Sequence, residues 1–279
     1  MVRFKVVKGS HLLLAVSIAA LLIVVLLIGL QASSGADAQG TGSGAKVEQT
    51  FALANSDRIT IRVLPDPSAS PAPEPRFILI YHTHTHEAYE QVAYDPYEAV
   101  ETWRTEDPAH SVVRVGEALA AALEEHGFRV THDRTDHELD SLSDSYVRAL
   151  GTLKSYEETF DLYIDLHRDA YVEGMLPHLN LNGTEYAQLM LLVGKGDRYS
   201  AENKPEYEKN LRFAQRLTQE MNAIAQGICR NPTVKIGRYN QHIGTPAILL
   251  EVGHNRNTLR QAIASMPVVA QAISKILAP

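Results

Sequence analysis

RFILIYHTHTHE, residues 76–87, changes character in a single step. Phe77–Tyr81 is an unbroken apolar run, the pattern of a strand buried on both faces. Such strands belong to parallel sheets covered by helices. From His82 the run gives way to three histidines at alternate positions and then Glu87. In open α/β sheets, ligands bind beyond the carboxyl ends of the strands. The junction between Tyr81 and His82 therefore predicts a fold and the edge of a site together.

Downstream, short apolar runs alternate with amphipathic segments. Residues 111–126 predict a helix with Val112, Val115, Leu119 and Leu123 along one face and Gly127 to cap its end. Residues 128–131 predict a second strand and 139–157 a second helix. Leu162–Leu166 and Gln188–Gly194 come next as strands, and 205–226 as a long helix with Ala214, Leu217, Met221 and Ile224 in line. Ala247–Val252 is the last strand, before a helix from about Asn257 that Pro267 should kink or restart. This order predicts an α/β fold, a three-layer sandwich with a mostly parallel central sheet. No internal repeat is evident.

Upstream the composition shifts. Residues 65–75 (PDPSASPAPEP) read as a Pro-rich spacer, and Arg58–Val63 alternates as one strand would. Residues 31–46 have the make-up of a flexible linker. Residues 12–30 (LLLAVSIAALLIVVLLIGL) carry no charge. At about 1.5 Å per residue they match the hydrocarbon core of a bilayer as a transmembrane helix. Arg3, Lys5 and Lys8 precede this run, which places the chain beyond residue 30 outside the cytoplasm. The alternative is a signal peptide cleaved near Ala36-Asp37-Ala38; the domain leaves the cytoplasm either way. The expected organisation is a cytoplasmic stub and membrane anchor at 1–30, a linker with one strand at 31–75, and a catalytic domain at 76–279. The chain is expected at the cell membrane, single-pass, with its catalytic domain on the extracytoplasmic side.

A net charge of −7 with no basic patch argues against a nucleic-acid partner. Cys229 is the only cysteine, so no intrachain disulfide can staple the fold. Twelve histidines, several of them clustered, point toward metal chemistry.

Three predicted strand ends carry histidines or carboxylates: His82 to Glu87, Asp165 to Asp169, and Glu251 to His254. His84, Glu87 and His167 make a His₂Glu donor set, which leaves a coordination position for water as catalytic zinc sites do. Exposed histidines decorating a loop are the plainer reading. Glu251 ends the apolar run Ala247–Leu250, where an unpaired carboxylate costs several kcal/mol (roughly 2–7 for a neutral polar group and more for a charge). It is either a general base for a metal-activated water or the partner of Arg168 or Arg238. Arg168 could grip a substrate carboxylate or pair with Asp165 or Asp169. Arg238 to Gln241, with Asn240, reads as a loop lining the site or as an ordinary turn. Glu106, Asp107 and His110 read as charges at a helix N-terminus, each also open as an alternative ligand.

ILIYHTHTHEAY (78–89), VVRVGEAL (112–119), DLHRDA (165–170), YAQLMLLVG (186–194), NLRFAQRL (210–217), RYNQHIG (238–244) and AILLEVGHNRNTL (247–259) occur in that order. Together they resemble the stage II sporulation protein P family across nearly all of 76–279. The later motifs also resemble zinc-dependent N-acetylmuramoyl-L-alanine amidases. The resemblance implies His167 as a zinc ligand and Glu251 as the catalytic glutamate, with Gly253 and Asn257 completing the second motif. It favours Glu87 as the remaining ligand beside His84, with Glu106 or Asp107 as alternatives. His86 and His254 depart from the usual pattern and add competing donors. The implied activity is hydrolysis of the bond between N-acetylmuramic acid and L-alanine in peptidoglycan, during septal wall thinning and engulfment in sporulation. Cross-link endopeptidase activity and a non-catalytic wall-binding scaffold are the rival readings. The implied partners are stage II sporulation proteins D and M, and Arg168 and Asn240 are the expected substrate contacts.

Overall fold

Phe77–Tyr81 is a strand whose Ile78, Leu79 and Ile80 are fully buried, so it lies inside a sheet rather than at its margin. The computed structural model describes residues 47–52, 58–63, 74–139, 141–196 and 205–277. They fall in two units, divided at Pro71 and Ala72. In the first, β1 (Val47–Ala52) pairs antiparallel with β2 (Arg58–Val63), so the one strand expected there has a partner. The expected anchor at 12–30 and the linker at 31–46 lie outside the described residues. Among the described residues no helix is long and apolar enough to cross a membrane.

The second unit is an α/β fold with a mostly parallel sheet. Its strands are β3 (Phe77–Tyr81), β4 (Arg129–His132), β5 (Leu162–Asp169), β8 (Leu189–Gly194), β9 (Thr233–Lys235) and β10 (Ala247–His254), in the order β4-β3-β5-β10-β8-β9. Only the β10–β8 pair is antiparallel. A short hairpin, β6 (Leu179–Leu181) and β7 (Thr184–Tyr186), lies outside this sheet.

The helices are α1 (Val112–Glu125), α2 (Ser145–Ser155, entered through a 3-10 turn at Leu142–Asp144), α3 (Tyr207–Ile224) and α4 (Leu259–Leu277). Ser111 caps α1 by accepting the Val113 N–H, and Gly127 ends it at φ 85°, where a side chain would be strained. Val112, Val115, Leu119 and Leu123 are fully buried, each contributing about 1.5–3 kcal/mol. Pro267, expected to kink or restart the last helix, stands exposed inside a continuous α4. Burial of Met266, Val269, Ala272 and Ile273 around it outweighs the roughly 3 kcal/mol that an interior proline costs.

The path of the chain sets the two faces of the sheet. From β3 it steps outward to β4, then reverses across β3 to reach β5. Right-handed crossovers in opposite directions put their helices on opposite faces. Accordingly α1 packs with α3 and α4 against Ile78, Ile80, Ile164, Leu166, Leu250 and Val252. α2 packs on the other face, its Ala149 and Leu153 against Leu79, Tyr81 and Tyr163. The reversal between β3 and β5 makes their carboxyl ends a topological switch point, the place where open α/β sheets bind ligands.

Candidate active site

Side chains alternate along a strand, so Tyr163, Asp165 and His167 on β5 share the α2 face, as do Ala247, Leu249 and Glu251 on β10. Glu251 and His167 are register partners in the parallel β10–β5 pair. Immediately past Glu251 the register slips by one residue against β5, with Gly253 at φ 68° in the slip. A Cβ on Gly253 would lie 2.4 Å from Asn257 Oδ1, the atom that accepts the His254 N–H. Gly253 and Asn257 thus shape the strand end that holds Glu251.

Beyond β3 the loop from His82 to Glu87 folds over the same edge. The His84 and His167 rings meet edge to face at 5.4 Å. Glu87 Oε2 lies 3.3 Å from His167 Nδ1 and accepts the Arg168 N–H at 3.0 Å. The structure therefore brings His84, Glu87, His167 and Glu251 together from three strand ends. His167 Nε2 approaches Asp165 Oδ1 at 2.8 Å but outside hydrogen-bonding alignment, leaving this buried nitrogen without a hydrogen bond among the described residues. Glu251 Oε2 is likewise buried without a partner, and no ion pair ties Glu251 to Arg168 or Arg238 among the described residues.

The charges in this cluster act on one another. Burial acts to lower the pKa of His167, but the Asp165 and Glu87 carboxylates outweigh it and hold the imidazole well above its ordinary value. Burial alone would raise Glu87, but His167 and Arg168 bring it down. Glu251 is pushed up to about 8, first by burial and further by the charges of Glu87 and Asp169, against the pull of His167. A carboxyl in that range gives and takes protons near neutral pH.

Arg168 sends Nε to Ala88 O at 3.1 Å and Nη2 to Trp103 O at 3.1 Å, so its guanidinium braces the loop that carries Glu87. Asn240, at φ 52°, donates its Nδ2 to Tyr146 O at 2.9 Å. Tyr146 opens α2 with its ring edge-on to His84 at 5.6 Å and to Tyr239 at 5.8 Å. Asp107 accepts from the Ala109 N–H and meets His110 Nδ1 at 2.7 Å. His86 directs Nε2 to Asp136 Oδ2 at 2.7 Å. His254 accepts the Arg256 N–H on Nδ1, which leaves Nε2 to donate to Leu176 O. Both nitrogens of His254 are thereby engaged.

Glu138 was not evident from sequence. Its side chain is 1% exposed and meets His84 Nδ1 at 2.9 Å. Burial tends to raise its pKa, but donors from His84, Arg104 and the His86 N–H prevail and hold it at about 2. It lies 54 residues from His84 with no motif linking the two. The spacing of Asp136 and Glu138 gives no metal-site signal of its own.

Among the described residues no three His, Cys, Asp or Glu side chains already converge as a coordination shell. The donors nevertheless fit a metal. Two donors at about 2.0–2.1 Å from a tetrahedral zinc stand roughly 3.3 Å apart, which is the His167–Glu87 separation of 3.3 Å. Glu251 Oε2, buried without a hydrogen bond among the described residues, is a polar atom that solvent or a ligand would satisfy. Binding a cation here would release the imidazolium proton that now balances the two carboxylates.

The sequence matches the model of the family described as Stage II sporulation protein P (SpoIIP) over residues 36–274. Among solved structures it is similar to the catalytic domain of an endolysin targeting Clostridia difficile, at 15% identity and TM-score 0.45, covering 72% of this chain and 95% of that one. An N-acetylmuramoyl-L-alanine amidase of Nostoc punctiforme is similar at 15% identity and TM-score 0.42, covering 73% and 98%. An N-acetylmuramoyl-L-alanine amidase from Clostridium difficile 630 is similar at 16% identity and TM-score 0.42, covering 72% and 94%. No curated protein matches significantly.

Proposed function

Because this chain belongs to the stage II sporulation protein P family, we propose that it is a peptidoglycan hydrolase of sporulation, cutting the amide between N-acetylmuramic acid and L-alanine. The observation that carries this reading is Glu251: a half-buried glutamate whose Oε2 is buried and bare, register-paired with His167 beside His84 and Glu87. A carboxyl so placed costs stability and has no ion-pair partner among the described residues, so a chemical role accounts for it better than packing does.

His84, Glu87 and His167 would hold a zinc ion. Bound there, it would polarise the amide carbonyl and acidify a water toward a pKa of about 7. Glu251 takes the proton from the attacking water and passes it to the nitrogen of the departing L-alanine. Asp165 holds Thr83 through its N–H at 2.8 Å and its hydroxyl at 2.7 Å, fixing the start of the His84 loop against β5. Arg168 braces Ala88 and Trp103, and so holds Glu87 in place, rather than standing free for substrate. Asn240 acts through Tyr146, whose ring covers His84.

The same reading places the chain in the cell membrane through residues 12–30, with the hydrolase outside and stage II sporulation proteins D and M as partners. The test of the activity is mass spectrometry of purified peptidoglycan digested by the full chain, with and without a chelator. Stem peptides with a free L-alanine amine, lost on chelation, are expected. Cut cross-bridges with intact muramyl amides would replace this reading with an endopeptidase.

A further inference from the structure

We propose that Glu138 is the positioning residue of this site, fixing His84 as the Nδ1–H tautomer so that Nε2 keeps the lone pair a metal needs. The inference rests on the metal-hydrolase reading and assigns a role to a residue outside the donor set.

The case is one of donors and acceptors. Glu138 Oε1 receives His84 Nδ1 at 2.9 Å and Arg104 Nη2 at 2.9 Å, while Oε2 receives the His86 N–H at 2.7 Å. An ionised carboxylate can only accept, so the proton of a neutral His84 must sit on Nδ1. One residue pair supports this arrangement from behind. Asp136 Oδ1 accepts the Glu138 N–H at 2.8 Å and the Thr85 hydroxyl at 2.7 Å, and Oδ2 meets His86 Nε2 at 2.7 Å. Two carboxylates two residues apart thus grip His84, Thr85 and His86 in succession. Arg104 brings the cation that balances Glu138, from the loop that Arg168 also braces at Trp103.

A loop merely decorated with histidines requires none of these contacts. Carboxylates that hold the far nitrogen of a metal-binding histidine set its tautomer and raise its basicity, and losing one typically weakens metal binding about 10–100-fold. Glutamine keeps the shape of Glu138 but places an N–H₂ among donors, either against the His86 N–H or against His84 and Arg104.

The experiment uses the full chain as wild type, E138Q and E138A. Zinc affinity is read by competition with a chromogenic chelator, and the His84 tautomer by ¹⁵N NMR of the metal-free protein. Wild type is expected to show the Nδ1–H signature. E138A is expected to lose it, and both variants to bind zinc about 10–100-fold more weakly, E138Q with a thermal midpoint within a few degrees of wild type. An unchanged zinc affinity in E138Q, or a His84 that stays Nδ1–H without Glu138, overturns the proposal. Should E138A fail to fold, the near-isosteric E138Q still decides. A wild type that binds no zinc sinks the hydrolase reading instead, and the metal-free tautomer then rules on Glu138 alone.

Discussion

Glu251 and His167 face each other as register partners across the parallel β10–β5 pair, on the sheet face where α2 packs. Register fixes their proximity through backbone hydrogen bonds, so neither side chain depends on a mobile loop for its position. If Glu251 moves the proton, E251Q should keep its zinc and its fold while kcat falls by about 10²–10⁴. Zinc analysis and peptidoglycan digestion on the same preparation check this; E251Q at wild-type rate would refute the role.

The same carboxyl should cost stability in the metal-free protein. Its folded pKa is raised to about 8, whereas an unfolded glutamate titrates near 4.3. The folded state therefore binds the proton more tightly, and stability falls as pH rises between about 4.3 and 8. Removing the charge removes that loss. In chelator at pH 7, E251Q should be more stable than wild type by up to roughly 3.5 kcal/mol, with the difference vanishing near pH 4. Urea unfolding at the two pH values measures it. An E251Q no more stable than wild type at pH 7 would show that solvent or a partner already relieves the charge.

Legibility tracks burial. Phe77–Tyr81 is readable because both its faces are covered, which leaves an unbroken apolar run. β5 reads only as far as Leu166 but continues to Asp169, because the polar run His167-Arg168-Asp169 interrupts the pattern where function begins. The β6–β7 hairpin carries an Asn182-Gly183 turn with both φ positive, a strong hairpin signal that the strand-and-helix reading passes over. His84, Glu87, His167 and Glu251 are nameable because each sits at or just past a strand end. Glu138 is not, since its partners lie 34 to 54 residues away and only folding unites them.

The choice between Glu87 and Asp107 as a ligand can be made by paired substitutions. Glu87 Oε2 is 3.3 Å from His167 Nδ1, whereas Asp107 is spent on its own turn, held by Ala109 and His110. E87Q should lower zinc content well below one per chain. D107N should retain full zinc and lose at most about 0.5 kcal/mol, as surface substitutions generally do. Zinc loss in D107N with retention in E87Q would reverse the assignment.

Gly116 offers a test of how the loop after β3 is seated. It lies in the middle of α1, where alanine would ordinarily stabilise a helix by about 1 kcal/mol. Here a Cβ would fall 2.6 Å from His132 Nε2 and 2.7 Å from His82 Nε2. Those nitrogens are themselves 2.9 Å apart, and His82 Nδ1 lies 2.9 Å from Leu166 O. Since the carbonyl can only accept, His82 donates from Nδ1 and receives the His132 Nε2–H on its other nitrogen. Burial keeps both rings neutral, lowering His82 to about 3 and His132 to about 4. G116A must push this pair apart and so disturb the residue two before His84. Overpacking of this kind costs about 1–3 kcal/mol, which should exceed the helix gain. A lowered thermal midpoint together with weakened zinc binding is the expected outcome. A G116A protein more stable than wild type would mean that the two imidazoles can move aside, and that His82 does not hold the loop in place.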